Sequence, residues 1–155
     1  MNCISCETVT GSFVPPGGIV FEDVKWIVAL RPSPVSVACL PLIILKRHCE
    51  DITDLDEEES SSLGFMMQLT ARTLNEVLKP EKVHFGLYAE QVKHIHIHVL
   101  PRMSNMPIGN IPNMWRNQWL DVLHRLGLKK SYSHDVVAQY AKQLRAAYIK
   151  LTSQE

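Results

Sequence analysis

The feature that most constrains this chain is an alternation of histidines and aliphatic residues at positions 94–99, His-Ile-His-Ile-His-Val. Successive side chains of a β-strand point to opposite faces of the sheet, so the alternation predicts a strand with His94, His96 and His98 on one face. Residues two apart on a strand are separated by about 6.5–7 Å, so the imidazoles line one edge of a site. The aliphatic residues between them face the other way.

Clustered histidines indicate a metal-binding or catalytic site, because Thr, Lys or Ser would serve equally well on a strand face that is only polar. The chain has 7 His in 155 residues, and three of them fall in this run. His-x-His on a strand can place two nitrogens on one metal ion. Alternatively, a neutral imidazole can attack phosphorus while a neighbouring imidazolium stabilises charge on the phosphoryl oxygens. The spacing alone leaves both chemistries open.

The first half of the chain carries short β-prone runs. The stretch 11–18 contains two prolines and three glycines and is predicted to be a loop. The apolar runs 19–21 and 26–30, separated by polar residues, predict a hairpin. A further strand is expected to end near 42–45.

One main helix is predicted in the middle of the chain. Asp54 followed by Glu57 has the spacing of a capping box, and it opens a helix that we expect over 55–78. The stretches 83–88 and 92–100 then predict paired strands. Strands in a run around one main helix indicate an α+β fold with an antiparallel sheet.

The last third of the chain is predicted to be a long loop followed by helices. Residues 101–113 contain three prolines and form the loop. A short helix is expected over 115–126, and Ser133 is expected to cap a final helix.

Composition limits the class of protein. The chain has no internal repeat or low-complexity linker, and 155 residues with 46% hydrophobic composition suit a single domain over 1–155. The 16 Lys+Arg balance the 16 Asp+Glu, so charge gives no reason to expect duplex nucleic acid or a membrane as partner. The N-terminus lacks the pattern of a signal peptide, so we expect a cytoplasmic protein with reduced cysteines.

Several motifs resemble one family. The run 94–100 resembles the signature of alternating histidines that names the histidine triad (HIT) superfamily. Cys3-Ile-Ser-Cys6 resembles the N-terminal Cys-x-x-Cys of many bacterial-type members. The segment 19–23 resembles their first core strand, and 46–58 resembles the entry to their main helix. The motif-bearing region is 3–102, and 103–155 is a C-terminal extension that matches loosely.

The resemblance implies an HIT-like fold, with about five antiparallel strands, one main helix and C-terminal helices. It also implies roles for particular residues. His96 corresponds to the nucleophile that forms a nucleotidyl-histidine intermediate, and His98 to a ligand of the phosphoryl oxygens. Gln91 matches a polar helper to the phosphate. Ile19 and Leu30 match positions of the apolar cleft that binds the base.

The resemblance further implies a structural zinc ion, one per chain, and no organic cofactor. In zinc-containing members the ligands correspond to Cys3, Cys6, His48 and His94. Such a closed Cys₂His₂ site would leave His96 and His98 free for phosphate. The resemblance also suggests a homodimer in which two sheets join edge to edge.

The expected function is a nucleotide hydrolase or transferase acting at the α-phosphate, of the diadenosine polyphosphate hydrolase or nucleoside phosphoramidase type. One alternative is a metal-dependent hydrolase that uses the histidine cluster as ligands. Another is a non-catalytic nucleotide-binding scaffold. The chain departs from the family pattern at Arg31, at Cys39-Leu40 and at Gln91, and these departures concern the choice of substrate.

Overall fold

The computed structural model describes residues 3–32, 38–106, 126 and 132–153. Within these ranges, five strands form one antiparallel sheet in the order β1-β2-β3-β5-β4. The elements along the chain are α1 (Ile4–Thr10), β1 (Ile19–Glu22), β2 (Trp26–Leu30), β3 (Pro41–Leu45), a short 3₁₀ helix (Ile52–Asp54), α2 (Glu57–Leu78), β4 (Lys82–Leu87), β5 (His96–Arg102) and α3 (His134–Thr152). The expected α+β class and five-stranded sheet are confirmed.

One face of the sheet carries the hydrophobic core. Val28 lies opposite Ile43, and Ile43 lies opposite Ile97, so these side chains share a face. All three are buried in one cluster with apolar side chains of α2 and α3. Both helices therefore pack on this face, and the other face is left for the histidines. None of the helices in the described parts of the chain is long and apolar enough to cross a membrane.

Helix α3 is fastened to the start of β1. The Arg145 guanidinium donates to the carbonyl oxygens of Gly17 at 2.6 Å and of Ile19 at 2.7 Å. Gly17 has a φ of +76°, and a Cβ atom there would overlap the Cβ of Ala141. Only glycine allows both this backbone conformation and this close approach of the helix.

The sequence predicted the strands and the last helix well, with two boundary errors. The hairpin and the third strand are confirmed, and Ser133 caps α3 by accepting from the Val136 N–H. However, β5 begins at His96 instead of residue 92 and continues to Arg102. The predicted loop over 101–113 is therefore wrong at its start. Its remainder and the predicted helix over 115–126 lie largely outside the described residues.

The main helix begins two residues later than expected. Asp56, instead of Asp54, forms the capping box, accepting from the Glu59 N–H while Glu59 accepts from the Asp56 N–H. Glu59 is 2% exposed, and both of its carboxylate oxygens also accept from Arg47, at 2.9 and 2.7 Å. This paired hydrogen bond selects the start of α2, because it requires a carboxylate at position 59.

The buried Glu59 carboxylate predicts an acid-sensitive fold. Arg47 lowers the pKa of Glu59 from 4.5 to about 2. A lowered carboxyl pKa contributes stability above pH 4.5 that is lost as the pH falls toward 2. We expect Glu59→Gln to lower the Tm at pH 7 by about 4–8 °C, with the difference from wild type shrinking below pH 4.5. Thermal unfolding followed by circular dichroism measures both.

Glu58→Gln is the matched control. Glu58 lies in the same helical turn, is 80% exposed and pairs with Lys25. Its loss should change the Tm by less than about 2 °C, because exposed ion pairs contribute little. Equal effects of the two variants would contradict the role assigned to Glu59.

Candidate active site and metal-ligand cluster

His96 and His98 lie side by side on the sheet face opposite the core. In the pairing of β3 with β5, His96 is opposite Ile44 and His98 is opposite Leu42. The two imidazole rings meet edge to face, with their centroids 5.0 Å apart. The strand alternation therefore brings these two histidines together as the sequence indicates.

A backbone contact sets the tautomer of His96. Its Nδ1 lies 2.8 Å from the carbonyl oxygen of His94. A carbonyl only accepts hydrogen bonds, so Nδ1 carries the proton and Nε2 keeps its lone pair. The nitrogen at the far end of the ring is therefore the one with a free lone pair.

His98 is a neutral group in the free protein. Burial, followed by the nearby His96 and Arg31, lowers the pKa of His98 from 6.5 to about 4. At neutral pH it carries one N–H that can donate a hydrogen bond. It is thus an uncharged donor beside His96, instead of the imidazolium that the sequence pattern allowed.

An apolar cleft lies next to the histidine pair. Ala29 is opposite Leu42, and Leu42 is opposite His98, so they share the histidine face. The space left there is about 40 Å³, and α1 lies over it. The lining residues are Ile4, Ser5, Thr8, Phe13, Pro15, Ala29, Leu30, Pro32, Leu42 and Ile44. Such a cleft, apolar with a few polar groups, is typical of small-molecule sites.

The three other residues singled out from the resemblance occupy different surroundings. Leu30 lines the cleft, and it is also fully buried in the core cluster. Ile19 is half-buried opposite Ala29 and so lies on the cleft side of β1. Gln91 is exposed in a bend before β5. Their roles toward a substrate stay predictions.

Four potential metal ligands meet beside the sheet. Ligand atoms of Cys3, Cys6, His48 and His94 all lie within 4.8 Å of one another. The Cys6 sulfur is 3.2 Å from Nδ1 of His48 and 3.3 Å from Nδ1 of His94, and the Cys3 sulfur is 3.5 Å from the latter. A tetrahedral zinc site separates its sulfur and nitrogen ligands by about 3.3–3.8 Å. The spacing of these donors therefore fits one ion.

The outer hydrogen bonds of the two histidines also fit a metal site. His94 Nε2 lies 2.7 Å from the Leu45 carbonyl oxygen, and His48 Nε2 lies 3.3 Å from a Glu50 carboxylate oxygen. Both acceptors favour a proton on Nε2, which leaves Nδ1 unprotonated toward the cysteines. Burial and the adjacent Cys3 raise the pKa of the Cys6 thiol, an effect that a bound cation would oppose.

His94 lies outside the strand that carries the other two histidines. The sequence placed it on the strand, but it lies in the bend before β5 with its ring fully buried against the cysteines. Next to it, Ile95 donates to the Cys49 carbonyl and accepts from the Leu45 N–H at the strand entrance. The prediction that the strand includes His94 is therefore wrong, because the strand begins at His96.

Two parts of the site were not predicted. Helix α1 has only seven residues, and its sequence gave no helical periodicity to detect. Tyr88, whose ring centroid is 5.9 Å from that of His98, was not singled out either. The only indication in the sequence was Gly86, which has no side chain and so leaves room on the strand for the Tyr88 ring.

A comparison with protein-family models matches residues 13–105 to the HIT domain. The chain therefore belongs to the HIT domain family. Among curated proteins, an uncharacterized HIT-like protein of Mycoplasma genitalium is 29% identical over 65% of this chain and 73% of its own length. An uncharacterized HIT-like protein of Mycobacterium tuberculosis is 26% identical over 65% of this chain and 72% of its own length.

Solved structures share the fold over 72% to 100% of this chain. A Zn-bound histidine triad family protein from Mycobacterium smegmatis has a TM-score of 0.71 and 24% identity, covering 100% of this chain and 99% of its own. A hypothetical histidine triad nucleotide-binding protein from Sulfolobus tokodaii has a TM-score of 0.71 and 18% identity, with coverages of 97% and 94%. A HIT family hydrolase from Legionella pneumophila has a TM-score of 0.53 and 22% identity, with coverages of 72% and 99%.

The burial of His98 predicts an unusual titration. In the folded protein its ring should stay neutral down to about pH 4, whereas in the urea-unfolded chain it should titrate near 6.5. The contribution of His98 to the free energy of unfolding is thus fully present above pH 6.5. It is lost as the pH falls from 6.5 toward 4, because the unfolded chain then binds a proton that the folded protein does not. Imidazole ¹⁵N chemical shifts, assigned with His98→Asn, measure the midpoint. A folded-state midpoint above 6 would contradict the assignment.

Proposed function

We propose that this chain is a nucleotide hydrolase or transferase that acts at an α-phosphate through a nucleotidyl-histidine intermediate on His96. The observation that carries the proposal is the hydrogen bond from His96 Nδ1 to the His94 carbonyl, which directs a free Nε2 lone pair away from the backbone. The descriptions of two fold neighbours, a hydrolase and a nucleotide-binding protein, support the same class of function.

The two histidines divide the chemistry. Nε2 of His96 attacks the α-phosphorus, and the bond from phosphorus to the leaving group breaks. His98, a neutral donor 5.0 Å away by ring centroids, stabilises charge on a phosphoryl oxygen. Water then attacks the phosphorus, the bond to Nε2 breaks with its electron pair returning to the ring, and a nucleoside monophosphate leaves. An acceptor other than water would give transfer instead of hydrolysis.

The nucleoside is placed by the apolar cleft in this proposal. Ala29, Leu42 and Ile44 lie on the histidine face and line the cleft. A base bound there would require α1 to move outward, because the present space of about 40 Å³ is smaller than a base. Ile19 and Leu30 border the same region, in keeping with the roles that the family resemblance implies.

The geometry gives less support to a metal-dependent hydrolase. His94 faces the cysteines, and among the described residues the ligand group contains neither His96 nor His98. A closed set of two thiols and two imidazoles leaves no open position for substrate. We propose instead that the cluster holds a structural zinc ion, a reading supported by the Zn-bound fold neighbour. Thiol ligands stay reduced in the cytoplasm, where we place the protein.

We also propose a homodimer formed through β4. This strand is at one edge of the sheet, whereas the other edge strand, β1, follows the segment held by Arg145 of α3. An edge strand offers unpaired N–H and carbonyl groups to a second copy of the same strand. Symmetric pairing of two such edges forms a closed dimer.

Replacing the nucleophile tests the proposed function. We expect His96→Ala to lower the turnover of adenosine 5′-phosphoramidate and diadenosine tri- and tetraphosphate more than about a thousandfold, because the substitution removes the nitrogen that forms the intermediate. Intact-mass spectrometry should find a nucleotidyl adduct on rapidly quenched wild type and none on the variant. His134→Ala, on the exposed start of α3, is the control and should keep full activity. More than a tenth of wild-type activity in His96→Ala would rule out the assignment.

Removing the thiols tests the zinc proposal. Purified protein should contain about one zinc per chain, and Cys3→Ser with Cys6→Ser should lose it together with some thermal stability. Elemental analysis under reducing, chelator-free conditions measures the content. Cys39→Ala is the control, because Cys39 is buried away from the cluster and should not change the zinc content. Wild type without metal would contradict the proposal, and activity should survive in part after zinc loss.

A further inference from the structure

Tyr88 lies against the catalytic histidines from the side opposite the cleft. It directly follows β4, and its ring centroid is 5.9 Å from that of His98, at an interplanar angle of 42°. In the pairing of β4 with β5, Gly86 is opposite His98. A Cβ atom on Gly86 would overlap the Tyr88 phenol. The phenol therefore occupies the space at a strand position that has no side chain of its own.

The backbone holds Tyr88 in this place. Ala89 has a φ of +48°, in the left-handed region that residues other than glycine rarely adopt. The chain therefore turns away immediately after Tyr88 and leaves its ring on the sheet. Tyr88 is nevertheless 43% exposed, so part of the residue is open to a ligand.

The strand order separates the two sides of the site. In the order β1-β2-β3-β5-β4, the cleft over β2 and β3 lies on one side of β5, and Tyr88 lies on the other. In a displacement at phosphorus, the nucleophile and the leaving group are roughly in line. The leaving group therefore departs opposite the His96 nitrogen. With the nucleoside held over β3, the space on the β4 side of the phosphorus, where Tyr88 lies, is left for a ring that the leaving group carries.

We infer that Tyr88 is a specificity residue for the leaving group, and that its open face stacks on an aromatic ring attached within a few atoms of the α-phosphorus. The inference rests on the proposed function. The short distance from His98 favours an aryl-alkyl amine or aryl ester of a nucleotide over a second base at the end of a polyphosphate. Stacking on an aromatic ring is strong enough to select between such substrates.

A pair of substrates that differ in one group tests the inference. They are adenosine 5′-phosphoramidate, whose leaving group is ammonia, and its N-(2-phenylethyl) derivative. Tyr88→Ala should lower the ratio of kcat/KM for the phenylethyl substrate to that for the unsubstituted one by about tenfold. Tyr88→Phe should keep the ratio, because the ring stacks and the hydroxyl does not. Phe65→Ala is the control, since Phe65 is exposed on α2 across the sheet, and its ratio should match wild type.

An equal loss for both substrates in Tyr88→Ala would show a packing residue and overturn the inference. A loss of the ratio in Tyr88→Phe would also overturn it, because the hydroxyl would then be the selective group. Equilibrium binding of the two compounds to the His96→Ala protein separates this inference from the proposed function. In the His96→Ala protein, the added Tyr88→Ala substitution should weaken binding of the phenylethyl compound by about tenfold and leave binding of the unsubstituted compound unchanged. This result is expected whether or not the wild-type protein cleaves the bond to phosphorus. Equal binding of the phenylethyl compound before and after Tyr88→Ala would rule out stacking on Tyr88.

Discussion

The hydrogen bond between His94 Nε2 and the Leu45 carbonyl joins the two halves of the site. It fixes a fully buried ring at the end of β3, with Nδ1 turned toward the cysteines. The carbonyl of the same residue accepts from His96 Nδ1. One residue therefore orients the ligand cluster through its side chain and His96 through its backbone. Displacing His94 would disturb the tautomer of His96 as well as the cluster, because both depend on the same short segment.

The part of the site that follows from local pattern could be predicted from sequence. Alternation alone placed His96 and His98 on one face, because a strand buried on one side admits a single register. The start of α2 was harder, since Asp54 with Glu57 and Asp56 with Glu59 offer the same capping spacing two residues apart. Arg47 decides between them by pairing with Glu59. The spacing of residues along the chain does not indicate which of the two pairs forms the capping box.

The rest of the site depends on contacts between distant residues. The cleft depends on the register of the strands, which places Ala29 opposite Leu42 and Leu42 opposite His98. No single segment of the sequence indicates the order of the strands in the sheet. The family resemblance grouped Cys3, Cys6, His48 and His94 because it carries this tertiary information, whereas periodicity gave no indication that His48 and the cysteines would meet His94. Helix α1 escaped prediction because seven residues are too few to form a stable helix without packing partners.

A metal ion in the ligand cluster would also restrict the conformations of the unfolded chain. Cys6 is 42 residues from His48 and 88 from His94, so an ion held by all of them would close large loops in the chain. Closing a loop of that size removes on the order of 4 kcal/mol of conformational entropy from an unfolded chain. Such an ion would act as a reversible cross-link between the N-terminus, the segment after β3 and the entrance to β5. The fold would then take part of its stability from conformations denied to the unfolded chain, and not from any contact within the sheet.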